Sequence, residues 1–206
     1  MIRNVIFDLG NVLISFSPAD YLKKKGYPEH IRSVILNDIF HSEEWTKLDE
    51  GAITTEEAID SICIKSALKR QEIALIFDFR IDIMFPLDFN VRLLPALKKR
   101  GFSVYYLSNF HLDTFEVVSN DYFFFRYFDG GIVSSNVKLA KPDIRIYNLM
   151  LDKYTLDPSE CLFIDDVEVN IQSAADAGMK VLNTFGSENI SDMLEKELPP
   201  WGKELV

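Results

Sequence analysis

"NVIFDLGNVLI", residues 4–14, decides how the rest of the chain is read. An apolar run of strand length ends on a single carboxylate, Asp8. Gly10 and Asn11 follow, and the apolar run then resumes. The stretch reads as a buried strand with an acid at its carboxyl end. The regular alternation that such a strand implies does not begin at once. Residues from about 18 to 86 read almost entirely as helix, and only after Pro86 do strands and helices alternate.

Inside the helical region, "SPADYLKKKG" opens with Ser17 as N-cap and Pro18 at the first helical position. "HIRSVILNDIF" keeps helical spacing. Thr54 followed by Glu57 is a capping-box signature, after which Ile59, Ile62, Cys63 and Ser66 share a face. "RQEIALIFDFRIDIMF" exceeds the usual strand length and is expected to be helix. Beyond it, "VRLLPALKKRG" reads as helix ending at Gly101, "FSVYYLS" as strand and "FHLDTFEVVSND" as helix. "GGIVSS" is a strand, "PDIRIYNLMLDKY" a helix with Pro142 at its first position, and "CLFID" a strand. "VEVNIQSAADAG" is a helix and "KVLNTF" a strand. The series predicts an α/β fold, a Rossmann-like parallel sheet with helices on both faces. Residues 187–206 read as a surface-docked tail. The insertion after the first strand is too long for a loop. The expected division is a core of residues 1–15 and 87–206 and a helical subdomain of residues 16–86, lying over Asp8.

The chain has 206 residues and a formal net charge of -10. A surface that acidic repels phosphate backbones and argues against nucleic-acid binding, while leaving room for a small anion in a locally cationic pocket. No uncharged apolar run reaches membrane-spanning length, and the first residues carry no signal-peptide pattern. Cys63 and Cys161 stand in apolar contexts and read as core residues of a reducing compartment. A cytoplasmic protein, monomeric or homodimeric, is expected. An exposed part of "YFFFRYF" (122–128) would be the dimer patch, although core packing explains it more simply.

Four stretches fall at predicted strand ends: "FDLGN" with Asp8, "YYLSNF" with Ser108 and Asn109, "KLAKPD" with Lys141, and "FIDDVEVN" with Asp165, Asp166 and Asn170. Ligands of open α/β sheets bind outside the carboxyl ends of the strands. Carboxylates converging there suit Mg²⁺. Small polar residues opening a helix offer N–H groups to an anion, and Lys141 supplies a point charge beside a carboxylate. A carboxylate held ionised in this way can act as a nucleophile toward phosphorus.

In this order and spacing the four stretches resemble the haloacid dehalogenase (HAD) superfamily, and the helical insertion resembles its cap domain. The closer similarity is to the D-L-G-N branch, on "EEWTKLDEGAITTEEA" and on the doubled acid with Asn170 behind it. That branch contains phosphatases of sugar phosphates such as α-D-glucose 1-phosphate, and the N-terminal phosphatase domain of soluble epoxide hydrolases is related. The resemblance implies a Mg²⁺-dependent phosphatase of a small phosphate ester, such as a sugar phosphate. Asp8 would be the nucleophile and a metal ligand, with the Gly10 carbonyl and Asp166 as further ligands. Asp165 and Asn170 would hold the metal's waters and support Asp166. Ser108, Asn109 and Lys141 would bind the phosphoryl group.

The superfamily's phosphatases commonly carry an acid two residues after the nucleophile to protonate the leaving oxygen, and here that residue is Gly10. Three outcomes stay open: a leaving group that needs little help, a proton from Asp49 or Glu50 of the insertion, or an enzyme that is slow or not a phosphatase. Trp45, Asp49 and Glu50 are candidates for reading the substrate, although Trp45 serves equally well as a packed anchor. His111 reads as structural or exposed. Competing functions are 2-haloacid dehalogenation by the same aspartate, disfavoured by the doubled acid, and non-catalytic phosphate or partner binding.

Overall fold

The computed structural model describes residues 1–185 and 189–198. Its strands are β1 (Asn4–Phe7), β2 (Ile14–Phe16), β3 (Met84–Pro86), β4 (Ser103–Ser108), β5 (Gly130–Val133), β6 (Cys161–Asp165) and β7 (Lys180–Asn183). Five of them form a parallel sheet in the order β5-β4-β1-β6-β7. β1 is central, and the chain builds outward from it first on one side and then on the other. The reversal at β1 is the switch point where such sheets open a crevice for ligands.

Both faces of β1 are covered, which explains its unbroken apolar run. Val5 and Phe7 pack with Val104, Leu162 and Ile164 against Leu94 and Leu97 of the helix Leu93–Lys99. Ile6 faces the other way, with Leu107 and Phe163, onto Tyr147 and Met150 of the helix Ile144–Tyr154. The register places Phe7 beside Tyr106 on one side and Ile164 on the other. Asp8 and Asp165 therefore emerge side by side, and the Asp8 amide donates to the Ile164 carbonyl at 2.8 Å.

The insertion carries helices Pro18–Lys24, Glu29–Ile35, Glu43–Asp49, Thr55–Lys65 and Arg70–Phe79, with a π-helical turn at Leu36–Phe40. They enclose an apolar cluster of their own, including Leu22, Ile39, Ile62, Ile73 and Phe77. The capping box forms as its sequence signature implies: Thr54 Oγ1 accepts from the Glu57 amide, and Glu57 Oε2 accepts from the Thr54 amide. Ser17 does occupy the N-cap position with Pro18 after it, but its hydroxyl donates to Asp20 Oδ2 at 2.7 Å instead of capping the backbone.

Several expectations need correction. The helix expected through Phe85 stops at Phe79, because Met84–Pro86 pairs antiparallel with Ile14–Phe16. This two-stranded ribbon joins both ends of the insertion to the core. Periodicity could not reveal it, since an apolar triplet fits helix or strand until its partner is known. Pro142 does not open the next helix: Asp143 caps it, accepting from the Arg145 amide at 2.9 Å. The expected tail contributes the helix Ser191–Glu197, whose Leu194 is buried with Ile190 and Leu198 in the main core. Residues 186–188 and 199–206, including Pro199-Pro200-Trp201, lie outside the described residues. In "YFFFRYF", Phe124 is buried and Phe123 exposed. No helix among the described residues is long and apolar enough to cross a membrane.

Candidate active site

Asp8 is buried at the carboxyl edge of the sheet, and its two oxygens are treated differently. Oδ1 accepts from the Leu9 amide at 2.7 Å and from Ser108 Oγ at 2.7 Å, and lies 2.9 Å from Lys141 Nζ. Every hydrogen bond recorded for this carboxylate falls on Oδ1. Oδ2 lies on the Gly10 side, 4.0 Å from where a Cβ on that residue would stand. One oxygen is thus anchored and the other is left for chemistry. Burial pushes the Asp8 carboxyl up to about 6, against the pull of Lys141.

Lys141 is buried between two carboxylates, 2.6 Å from Asp165 Oδ2 as well as 2.9 Å from Asp8 Oδ1. Burial disfavours its ammonium, but the two acids outweigh that cost and raise its pKa. Asp165 is fully buried and saturated. It takes Lys141, Asn170 Nδ2 at 3.1 Å to both oxygens, and the Val167 amide at 2.8 Å. Asn170, expected to support Asp166, thus supports Asp165.

Asp166 is half-buried and borders the cavity, where the Asn11 side chain favours its ionised form. Its carboxyl is raised, first by burial and then by the charge of Asp165. Carboxylate oxygens of Asp8, Asp165 and Asp166 lie within 4.8 Å of one another. When ionised, these three acids outnumber the one ammonium among them. That excess of hard oxygen donors fits a divalent cation such as Mg²⁺.

Ser108 and Asn109 hold protein groups. The Ser108 hydroxyl, expected to face a phosphoryl oxygen, donates to Asp8. The Asn109 side chain clasps the Lys141 backbone, donating to its carbonyl at 2.9 Å and accepting from its amide at 2.8 Å. It therefore fixes the segment that carries the ammonium.

Above Asp8 lies a cavity of about 210 Å³, bordered by both the core and the insertion. Asp49 reaches it from the end of the helix Glu43–Asp49, whereas Glu50 is exposed and does not border it. Of the two acids considered from the sequence, only Asp49 is at the site. Burial, then the negative charge of Asp8, pushes its carboxyl up to about 7. Its backbone carbonyl accepts from Ser134 Oγ, which ties the insertion to the sheet end. Trp45 is both wall and anchor: it lines the cavity and packs on Phe16, Phe40, Phe77 and His111. His111 is buried on the border of the cavity, and burial lowers its pKa to about 3.

Sequence reasoning missed Asn11, Ser134 and Phe110. The turn at Asn11 had a signal, an Asn after Gly at a strand end. Its φ of 52° is a left-handed conformation that Asn tolerates better than most residues. Ser134 and Phe110 had none.

The profile of the haloacid dehalogenase-like hydrolase family matches residues 2–178. A sesquiterpene phosphatase of Aspergillus oryzae is 26% identical over 185 residues, covering 90% of this chain and 91% of that protein. The bifunctional epoxide hydrolase 2 of Sus scrofa is 36% identical over 105 residues, which are 49% of this chain and 19% of that protein. Among solved structures, a HAD family enzyme of Bacteroides thetaiotaomicron, in complex with magnesium and inorganic phosphate, superposes with a TM-score of 0.73. It shares 24% identity over 94% of this chain and 99% of that one. With the parallel sheet centred on β1 and the acids at its carboxyl edge, these matches make the chain a member of the haloacid dehalogenase-like hydrolase family.

Proposed function

We propose that the chain is a Mg²⁺-dependent phosphatase of a small phosphate monoester, working through an aspartyl-phosphate on Asp8. The observation that carries this reading is the asymmetry of Asp8: Oδ1 is fixed by Leu9, Ser108 and Lys141, and among the described residues no hydrogen bond falls on Oδ2, on the Gly10 side. The phosphatase name of the Aspergillus relative and the magnesium and phosphate of the Bacteroides structure support it. Asp8, the Gly10 carbonyl and Asp166 would hold Mg²⁺, with Asp165 and Asn170 behind them. When bound, the ion supplies positive charge that offsets the negative charge of the phosphoryl group.

The Asp8 carboxylate attacks phosphorus, and the bond from phosphorus to the ester oxygen breaks. Asp49, neutral below about pH 7, gives its proton to that oxygen and so takes the role Gly10 leaves open. The alcohol departs. A water then gives a proton back to Asp49 and attacks phosphorus, the bond to Asp8 breaks, and phosphate leaves. Lys141 holds Asp8 ionised and adds positive charge at the phosphoryl group, while Ser108 and Asn109 position Asp8 and Lys141. Residues 16–86 serve as a cap that excludes water above a core of residues 1–15 and 87–206. We place the reaction in a reducing cytoplasm, on the two unpaired cysteines Cys63 and Cys161.

The test is a Mg²⁺-dependent screen of phosphate esters, sugar phosphates included, with wild type and Asp8→Asn side by side. Turnover that Asp8→Asn reduces by about 10⁴-fold or more is expected. No turnover of any ester, or equal activity of the variant, removes the phosphatase reading. Activity on 2-haloacids that survives EDTA would put dehalogenation in its place.

A further inference from the structure

The cavity border mixes carboxylates with a broad apolar wall. Asp8 and Asp166 mark its floor, while Ile14, Phe16, Trp45, Met84, Phe110 and Val167 supply apolar wall. The other polar side chains on its border are mostly committed to the protein. Asn11 Oδ1 accepts from the Phe16 amide at 3.0 Å, and its side chain favours the ionised form of Asp166. Both ends of the Asn109 amide are on the Lys141 backbone. Thr114 Oγ1 accepts from Arg80 Nε at 2.6 Å and donates to Asp113 Oδ1 at 3.1 Å. Asp49 and His111 Nε2 remain, and the latter is buried without a hydrogen-bond partner.

A sugar phosphate brings a hydroxyl on most of its carbons. Each one buried against apolar wall without a partner is penalised, and two groups cannot serve them all. An apolar alcohol needs a polar partner only at its ester oxygen. We propose that the substrates are phosphate monoesters of short apolar alcohols, alkyl, isoprenoid-unit or aryl, whose hydrocarbon part fills the cavity bounded by Phe16, Trp45 and Met84. The size follows from the volume: about 210 Å³ is below the roughly 300–1,000 Å³ of sites for drug-sized ligands. The proposal rests on the phosphatase reading for its chemistry, and on the lining alone for its selectivity.

The test uses a series of n-alkyl phosphates and benzyl phosphate against glycerol, glucose and ribose phosphates, with p-nitrophenyl phosphate as a general probe and Mg²⁺ present. In parallel, the matching alkylphosphonates, which cannot be hydrolysed, are titrated into Asp8→Asn by calorimetry. We expect kcat/KM and phosphonate affinity to rise by about fourfold per added methylene until the cavity is full, the ratio that about 0.8 kcal/mol per CH₂ gives. We expect every polyol phosphate to lie at least about 100-fold below the best alkyl or aryl ester. In Met84→Gln, which keeps the side chain's length, the rise per methylene shrinks. Turnover of p-nitrophenyl phosphate with no chain-length dependence, or with sugar phosphates preferred, overturns the substrate class and leaves the phosphatase reading standing. Phosphonate affinity that rises with length while no ester is hydrolysed removes the phosphatase reading and leaves the apolar pocket. Neither turnover nor chain-length dependence overturns both.

Discussion

His111 Nε2 lies 3.4 Å from Asp49 Oδ1 at the edge of the cavity, and burial favours the uncharged form of each. Burial is the main cause on both sides, lowering the imidazole to about 3 and raising the carboxyl to about 7. An ion pair would require the opposite shifts. The arrangement instead presents a neutral ring to a carboxylic acid, which is the form a proton donor needs.

The first prediction is a pH limb set by Asp49. Ionised Asp8 and protonated Asp49 are both required, so kcat peaks between about pH 6 and about pH 7 and falls as pH rises through the upper value. His111 adds no limb above pH 5, because it is neutral there. Asp49→Asn keeps size and removes the proton. It should lower kcat by roughly 10²–10⁴-fold on alkyl phosphates. The loss should be far smaller on p-nitrophenyl phosphate, whose leaving group needs no proton. A pH–rate profile on both substrate types decides this, and equal losses on both would reject Asp49 as the donor.

The same shift makes a stability prediction. Between the ordinary carboxylate value and about 7, folded Asp49 binds a proton that the unfolded chain has lost. Stability therefore falls as pH rises through that window. Urea unfolding at pH 5 and pH 8 should show a smaller difference in Asp49→Asn than in wild type. The change should be on the order of 2 kcal/mol.

Lys141 is the common partner of two buried acids, and its loss should be structural as well as catalytic. Lys141→Ala leaves Asp8 and Asp165 facing each other without a cation. A cost of about 3–5 kcal/mol in unfolding free energy is expected. Lys141→Arg keeps the charge but cannot place one nitrogen at 2.9 Å and 2.6 Å from the two acids without moving Asn109's hold on the backbone. It should regain stability and fail to regain activity. Denaturant curves beside kcat/KM for both variants separate the two effects.

The strand ends were legible from sequence because burial on both faces leaves a continuous apolar signal, and Asp8 and Asp165 interrupt it at the same level of the sheet. The division of labour between Asp165 and Asp166 was not legible. Adjacent acids look alike until the sheet turns one inward toward Lys141 and leaves the other at the cavity. The apolar wall was equally hidden, since Phe16, Met84 and Phe110 are distant in sequence: the β2–β3 ribbon pairs the first two, and Phe110 reaches the cavity from beyond the end of β4. Asp49 could be named as a candidate because the insertion must lie over Asp8. Its advantage over Glu50 depends on which side of a helix end faces inward.

Metal removal gives a further prediction. EDTA should abolish turnover, and Mg²⁺ at 100 times its Kd should stabilise the fold by about 2.7 kcal/mol. Asp166→Asn should weaken that stabilisation without removing the Lys141–Asp165 contact, because Asp166 is not its partner. Thermal shifts titrated with Mg²⁺ measure both, and a Tm independent of Mg²⁺ in wild type would contradict the assignment.

Gly10 offers the sharpest test of how the leaving group is protonated. A Cβ built there meets only Asp8 Oδ2, at 4.0 Å, and the residue has no positive φ, so a side chain fits without backbone strain. Gly10→Asp places an acid two residues after Asp8. In wild type the gain should be small, because Asp49 already supplies the proton. In Asp49→Asn the same change should recover at least about 10-fold of the lost kcat on alkyl phosphates. It should change little on p-nitrophenyl phosphate. Non-additivity between two positions that lie on separate elements, one in the core and one in the insertion, would mark them as alternative sources of one proton. Strict additivity would instead place the two residues in separate roles and return Asp49 to a merely structural part of the cavity.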